Sequence, residues 1–261
     1  PTGGTGNLVS GTKLANAVPK TPPRRGSFHI VFNNPPPPAD RTPKSVRLRS
    51  SFGQASFWKT RGNPYLCSDD MPHLYIIAGC NGAGKTTASY TVLPEMLGCR
   101  EFVNADEIAR GLSPFNPGSV AIEAGRLMLQ RMDDLLSEGT DFAFETTLAT
   151  RSYVRFIEQA HAKGYFVTLL YFWLPTPQQA VERVATRVRE GGHDIPREVI
   201  CRRYRMGLKN LTALYAPICD YWAIYDNSSA DTQVKMIASG GLSATLTVED
   251  TLSYKSIVTY E

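Results

Sequence analysis

At 261 residues, 42% of them hydrophobic and 20% charged, the chain can bury a substantial core, in one large domain or in a medium domain with appendages. Its formal charge of +4 is unevenly spread: residues 1–70 carry ten Lys/Arg against three Asp/Glu, a charge of +7, whereas residues 71–261 carry 18 against 21, a charge of −3. No apolar run approaches the roughly 20 residues of a membrane span. The five cysteines (67, 80, 99, 201 and 219) have no CxxC spacing and the four histidines no HExxH pairing, which argues against a disulfide scaffold and a zinc enzyme. An odd cysteine count with no secretory signal points to reduced thiols and a cytoplasmic location. No internal repeat is present.

Residues 1–70 also hold ten of the 18 prolines, including the run Pro35 to Pro38. They read as a basic, proline-rich arm, disordered or non-native, ahead of a domain over 71–261. Ser27–Phe32 is the arm's one strand-like piece, and Phe52–Trp58 is apolar enough to dock on the domain. Arg24-Arg25 and Lys44–Arg49 have two readings: an affinity patch for nucleic acid or an acidic partner, and a solvated linker, which the composition favours. The sequence opens on Pro1, which is expected of a fragment or a processed product, and Met71 is the expected native start.

From Leu74 onward strands and helices alternate. Leu74–Ala78 is a short apolar strand closed by glycine, Lys85–Leu97 reads as a helix and Glu101–Asn104 as a second strand. Asn116 and Pro117 start a helix that stops at Gly139. Phe142–Glu145 is a third strand, Arg151–Lys163 a helix ended by Gly164, and Tyr165–Leu174 a long buried strand. Thr176-Pro177 starts a helix running to Gly191-Gly192, and Pro196 begins another. Cys219–Asp226 is a fifth strand, with Thr232–Ala238 and Ser243–Val248 as peripheral ones. The alternation predicts an α/β fold: a parallel sheet with right-handed crossovers, flanked by helices.

Gly79-Cys80-Asn81-Gly82-Ala83-Gly84-Lys85-Thr86 fits GxxxxGK[ST] between an apolar strand and a helix, the context in which this pattern cradles phosphate. Glycines let successive amides turn inward toward phosphate oxygens, and the following helix adds its positive end. Lys85 is expected on the β- and γ-phosphates and the Thr86 hydroxyl on Mg²⁺. The expected nucleotide contacts are Gly79, Asn81, Gly82, Ala83, Gly84, Lys85, Thr86 and Thr87, with ATP and Mg²⁺ as the bound species. This is a P-loop NTPase or kinase-type domain, and no GTPase switch or NKxD base-reading sequence accompanies the loop.

Three polar groups follow it. In Val103-Asn104-Ala105-Asp106-Glu107, Asp106 suits a general base that takes the proton of a substrate hydroxyl, or else a cap of the helix beginning at Glu107. In Phe144-Glu145-Thr146-Thr147, the carboxylate and hydroxyls suit a polyhydroxy substrate or, for Glu145, the waters of a metal; the plain alternative is a strand end turning into a helix. Arg187-Val188-Arg189-Glu190-Gly191-Gly192-His193-Asp194-Ile195-Pro196 with Arg202-Arg203-Tyr204 reads as a helical lid hinged at Gly-Gly, in which at most two of the four arginines at 187, 189, 202 and 203 are catalytic, Arg189 and Arg202 foremost. Surface salt bridging, Glu198 lying four residues before Arg202, is the alternative.

With the loop, NAD, FETT and RVREGGHDIP…RRY in this order, the segment from about Met71 to about Asp226 resembles the zeta toxin family of small kinases. The resemblance implies ATP–Mg²⁺-dependent phosphorylation of a UDP-activated sugar, typically UDP-N-acetylglucosamine at the 3′-hydroxyl of its aminosugar, by a toxin restrained by an antitoxin protein. It also implies roles: Asp106 as base, Lys85 as the loop lysine, Glu145 and Thr147 as the substrate-contacting acid and hydroxyl, and Arg189 with Arg202 as the arginine pair. Alternative expectations are a kinase for another small metabolite, a nucleotide or a nucleic-acid end, and a non-catalytic nucleotide-dependent binding module. No membrane partner is expected, and nucleic acid only through the arm.

Overall fold

The computed structural model describes residues 29–30, 71–192, 194–229 and 233–260. Phe52–Trp58, Arg24-Arg25, Lys44–Arg49 and His193 lie outside the described residues, as does the rest of the arm apart from His29–Ile30. Among the described residues eight strands form one sheet: β1 His29–Ile30, β2 His73–Gly79, β3 Glu101–Val103, β4 Phe142–Thr146, β5 Phe166–Trp173, β6 Tyr221–Asp226, β7 Gln233–Gly241 and β8 Ala244–Val248. The order is β1-β7-β6-β5-β2-β4-β3, with β8 paired to β7. Helices α1 Lys85–Thr91, α2 Ala105–Leu112, α3 Ala121–Glu138, α4 Tyr153–Ala162, α5 Pro177–Arg189, α6 Arg197–Asn210 and α7 Thr251–Val258 connect or flank them.

The five strands from β6 to β3 run parallel, as the strand–helix alternation predicts. β5 (FVTLLYFW) is buried at every position, which is the signature of a strand covered by helices on both faces. On α3 the buried residues Ala124, Met128, Met132, Leu135 and Leu136 recur at helical spacing and form one apolar stripe. Phe142 and Phe144 meet Phe156 edge-on, and Phe142 also meets Tyr165, so aromatic contacts lock α4 to the sheet.

Several element ends move by a few residues for identifiable reasons. Pro94 lacks an amide hydrogen, and beyond α1 the chain continues as a π-helical turn, Val92–Met96. Asn104 leaves the strand to cap α2 through hydrogen bonds accepted from Asp106 N and Glu107 N. Pro117–Val120 forms a 3₁₀ turn ahead of α3, which ends at Gly139 with φ 69°. The peripheral strands become an antiparallel hairpin, β7 and β8, on the β6 edge. Among the described residues no helix is long and apolar enough to cross a membrane.

β2 lies between β4 and β5: the chain passes from β2 to β3 toward one edge of the sheet, and from β4 to β5 and on to β6 toward the other. A crevice at the C-terminal ends of such strands is where α/β sheets bind ligands. The phosphate loop and Asp106 follow the C-terminal ends of β2 and β3, and Glu145 is the penultimate residue of β4, so the topology gathers them there.

Helix α7 has no counterpart in the sequence expectations. Asp250 caps it, accepting from Leu252 N and Ser253 N and from the Ser253 hydroxyl at 2.7 Å. These bonds, those from Ser253 foremost, hold the Asp250 carboxyl below the usual carboxylate range. Asp250→Ala is expected to cost about 1 kcal/mol at neutral pH, measured by urea unfolding. A depressed pKa stabilises the fold above the unfolded value of about 3.9 and loses that stabilisation as pH falls through the folded value. The difference between wild type and variant therefore fades below about pH 4.

Candidate active site

β2 ends at Gly79, whose φ of 142° few side chains adopt and whose Cβ, if present, would run into the Phe172 carbonyl of β5. At Gly84 (φ 77°) a Cβ would lie 2.6 Å from Asn227 Nδ2. The loop is thus pressed between β5 and the segment after β6, a fit that needs glycine. Asn227, 7% exposed, anchors it: its side-chain amide donates to the Ala83 carbonyl at 2.6 Å while its own N–H donates to the Trp173 carbonyl at 3.0 Å. Gly82 rests on α5, where a Cβ would come within 2.8 Å of the Ala180 carbonyl.

Inside this curl the Lys85 ammonium is 6% exposed, donates to the Cys80 carbonyl at 3.0 Å and pairs with Glu145 Oε1 at 3.4 Å. Cys80 is buried beneath the loop, and burial pushes its thiol up to about 11 despite the opposing effect of Lys85. Thr86 Oγ1 donates to Glu145 Oε2 at 2.7 Å, and Asn104 Nδ2 donates to the same oxygen at 2.8 Å. One carboxylate therefore gathers the loop lysine, the loop hydroxyl and the residue that caps α2.

Asn104 uses its other side-chain atom on the helix, Oδ1 accepting from Asp106 N at 2.8 Å and Glu107 N at 3.3 Å. That removes the capping reading of Asp106: Asn104 is the cap, and Asp106 stands in the first turn of α2 with an exposed side chain. Among the described residues its carboxylate has no hydrogen bond or ion pair. Glu145 comes to rest on the loop, against Lys85 and Thr86. Thr147 is half-buried one residue past β4. Asn81 is buried and Thr87 is exposed on α1.

Of the arginines, Arg203 Nη1 donates to Asn81 Oδ1 of the loop at 3.3 Å. Arg202, one residue earlier and rotated about 100° around the helix, is exposed. Arg189 is also exposed and donates to Thr186 Oγ1 on its own helix at 2.9 Å. The structure brings Arg203 to the phosphate loop and leaves Arg189 and Arg202 outside it. At the Gly-Gly pair, Gly192 N donates to the Arg187 carbonyl at 2.8 Å, and a Cβ at Gly192 would lie 2.7 Å from Arg187 Cγ.

The zeta toxin family model matches residues 58–229, about two-thirds of the chain. The chain belongs to the zeta toxin family. The matched segment is accordingly a kinase-type domain, a phosphotransferase by family. An uncharacterised Haemophilus influenzae protein is 28% identical over 127 residues, which are 48% of this zeta toxin chain and 88% of that protein. Among solved structures, AvrRxo1-ORF1:AvrRxo1-ORF2 with sulphate ions aligns with a TM-score of 0.61 at 20% identity, over 73% of this chain and 65% of that one. The AvrRxo1-ORF1:-ORF2 structure with ATP gives a TM-score of 0.61 at 19% identity, over 81% and 68%. This likeness is one of fold, and the chain spans about two-thirds of the AvrRxo1 chain it matches.

Asn227 and Asn104 are residues at the loop that motif spacing did not single out, and Arg203 is one of four candidate arginines that spacing leaves open. Asn227→Ala removes the anchor of the Ala83 carbonyl and is expected to weaken binding of a fluorescent ATP analogue about tenfold, at a stability cost of about 1–2 kcal/mol. Unchanged affinity in a folded variant would show that the loop holds its shape without Asn227.

Proposed function

We propose that this zeta toxin family member is an ATP–Mg²⁺-dependent kinase that phosphorylates a hydroxyl of a small sugar-containing substrate, with a UDP-activated sugar such as UDP-N-acetylglucosamine as the foremost acceptor. The observation that carries the reading is the chain of polar contacts from Lys85 and Thr86 through Glu145 and Asn104 to the first turn of α2, where the exposed Asp106 carboxylate has no partner among the described residues. It joins a triphosphate cradle to an unencumbered carboxylate, the two parts that phosphoryl transfer to an alcohol requires.

In this reading Asp106 accepts the proton of the acceptor hydroxyl. The hydroxyl oxygen forms a bond to the γ-phosphorus, the bond to the β–γ bridging oxygen breaks, and ADP leaves. Lys85 neutralises the phosphate oxygens from within the loop. Arg203 is placed to act on the same side, and Arg189 and Arg202 remain the sequence-based candidates should the helices carrying them close over bound nucleotide. The Thr86 hydroxyl and the Glu145 carboxylate, hard oxygen donors set side by side, suit Mg²⁺ held directly by the first and through water by the second. When bound, the ion would draw charge off the phosphates. Thr147 and the strand end around it are the proposed acceptor contacts.

ATP as donor is supported by the phosphate loop and by the ATP in the AvrRxo1-ORF1:-ORF2 structure, which shares the fold. The UDP-sugar acceptor and restraint by an antitoxin protein rest on the family resemblance. Incubation with ATP, Mg²⁺ and UDP-N-acetylglucosamine is expected to release ADP and to give a product heavier by one phosphate, read by mass spectrometry. Asp106→Asn is expected to lower that turnover about 100-fold or more while leaving ATP affinity within about twofold, because the base touches the acceptor rather than the loop. Turnover with another hydroxyl compound but not with the UDP-sugar would replace the acceptor. Tight ATP binding with no turnover on any hydroxyl acceptor would remove the kinase reading.

A further inference from the structure

Leu148 has φ 55°, a left-handed conformation that a branched side chain adopts only under constraint, and it is fully buried. It lies three residues past Glu145 and one past Thr147, in the loop that leaves the site for α4. What holds it comes from one helix and its continuation. Asn210, 1% exposed, donates from Nδ2 to the Leu148 carbonyl at 2.7 Å and to the Thr150 carbonyl at 3.4 Å. Tyr215, in the π-helical turn Leu211–Tyr215 that extends α6, donates to the Thr150 carbonyl at 2.6 Å. Gly207 packs so closely that a Cβ there would lie 2.5 Å from the Thr147 carbonyl oxygen.

Arg203, Gly207 and Asn210 are spaced i, i+4 and i+7, on one face of α6. The first touches the phosphate loop at Asn81, and the other two touch the loop that carries Thr147. The helix is itself fixed to the end of β5, because the buried Tyr204 hydroxyl donates to the Leu174 carbonyl at 2.7 Å. We infer that α6 is a rigid spacer setting the acceptor loop against the phosphate loop, and that Asn210 is a positioning residue for the phosphate acceptor. This rests on the kinase reading above, and gives that reading's acceptor side a structural basis: the strained loop presents Thr147 at a fixed distance from the donor.

The inference is tested on the full chain with Asn210→Ala and, in case that variant folds poorly, Tyr215→Phe, which deletes a single hydroxyl. Hydrogen exchange of residues 147–150, the binding constant for a fluorescent ATP analogue, and kcat and KM for UDP-N-acetylglucosamine are measured at a temperature where all proteins are folded. The expected result is faster exchange confined to the loop, ATP affinity within about twofold of wild type, and kcat/KM for the acceptor down about 100-fold, the scale on which a small displacement of a reacting group acts. A purely structural role would weaken ATP binding and acceptor turnover together. That outcome, unchanged loop exchange, or unchanged acceptor kinetics in an active enzyme would each overturn the assignment of Asn210. A wild-type protein inactive on every hydroxyl acceptor would instead overturn the kinase reading, and the positioning role with it.

Discussion

Glu145 is 11% exposed, and a carboxylate so far removed from water needs partners that replace its hydration. It has three: the Lys85 ammonium, the Thr86 hydroxyl and the Asn104 amide. They come from the loop after β2 and the turn after β3, and Glu145 itself belongs to β4, the strand between those two. The strand order β2-β4-β3 is thus what lets one side chain reach both loops. Remove the carboxylate, and a buried lysine loses its counter-charge while the cap of α2 loses its restraint. The phosphate cradle and the placement of Asp106 therefore depend on the same charge.

A second set of constraints surrounds this cluster. The phosphate loop is walled by the Phe172 carbonyl, by α5 under Gly82 and by Asn227 under Gly84. The loop over residues 147–150 is held by Gly207, Asn210 and Tyr215. Both depend on buried polar atoms whose partners are backbone carbonyls, bonds that cost most when broken because the orphaned group stays dry. Such a frame suits chemistry that consists chiefly of placing two reactants and stabilising charge.

Much of the fold was legible because its signals are local. The phosphate motif is contiguous, the strand–helix alternation follows from apolar runs and glycine or proline stops, and Glu145 and Asp106 sit at strand ends that the pattern marks. What stayed hidden depends on distance or on rotation. Asn227 meets Ala83 across 144 positions, with nothing in either neighbourhood to announce the pair. Arg202 and Arg203 differ by about 100° of helix rotation, and only the packing of α6 decides which one faces the loop. The cap of α2 looked like a role for Asp106 because both residues are good caps, until Asn104 was seen turning out of its strand. Asn210 gives no signal at all in sequence, since a buried asparagine within a helix looks like a surface one. Helix α7 begins at an Asp-Thr pair whose capping function becomes plain only once the β7–β8 hairpin delivers it to the sheet edge.

The central claim is that the Glu145 carboxylate organises the triphosphate cradle and serves the metal that accompanies the nucleotide. Calorimetric titration of ATP into wild-type and Glu145→Gln protein, with and without Mg²⁺, tests it most directly. The account predicts that Mg²⁺ strengthens ATP binding to the wild type and that Glu145→Gln, which keeps the side-chain shape but loses the charge, forfeits most of that increment. Equal Mg²⁺ enhancement in the two folded proteins would contradict it.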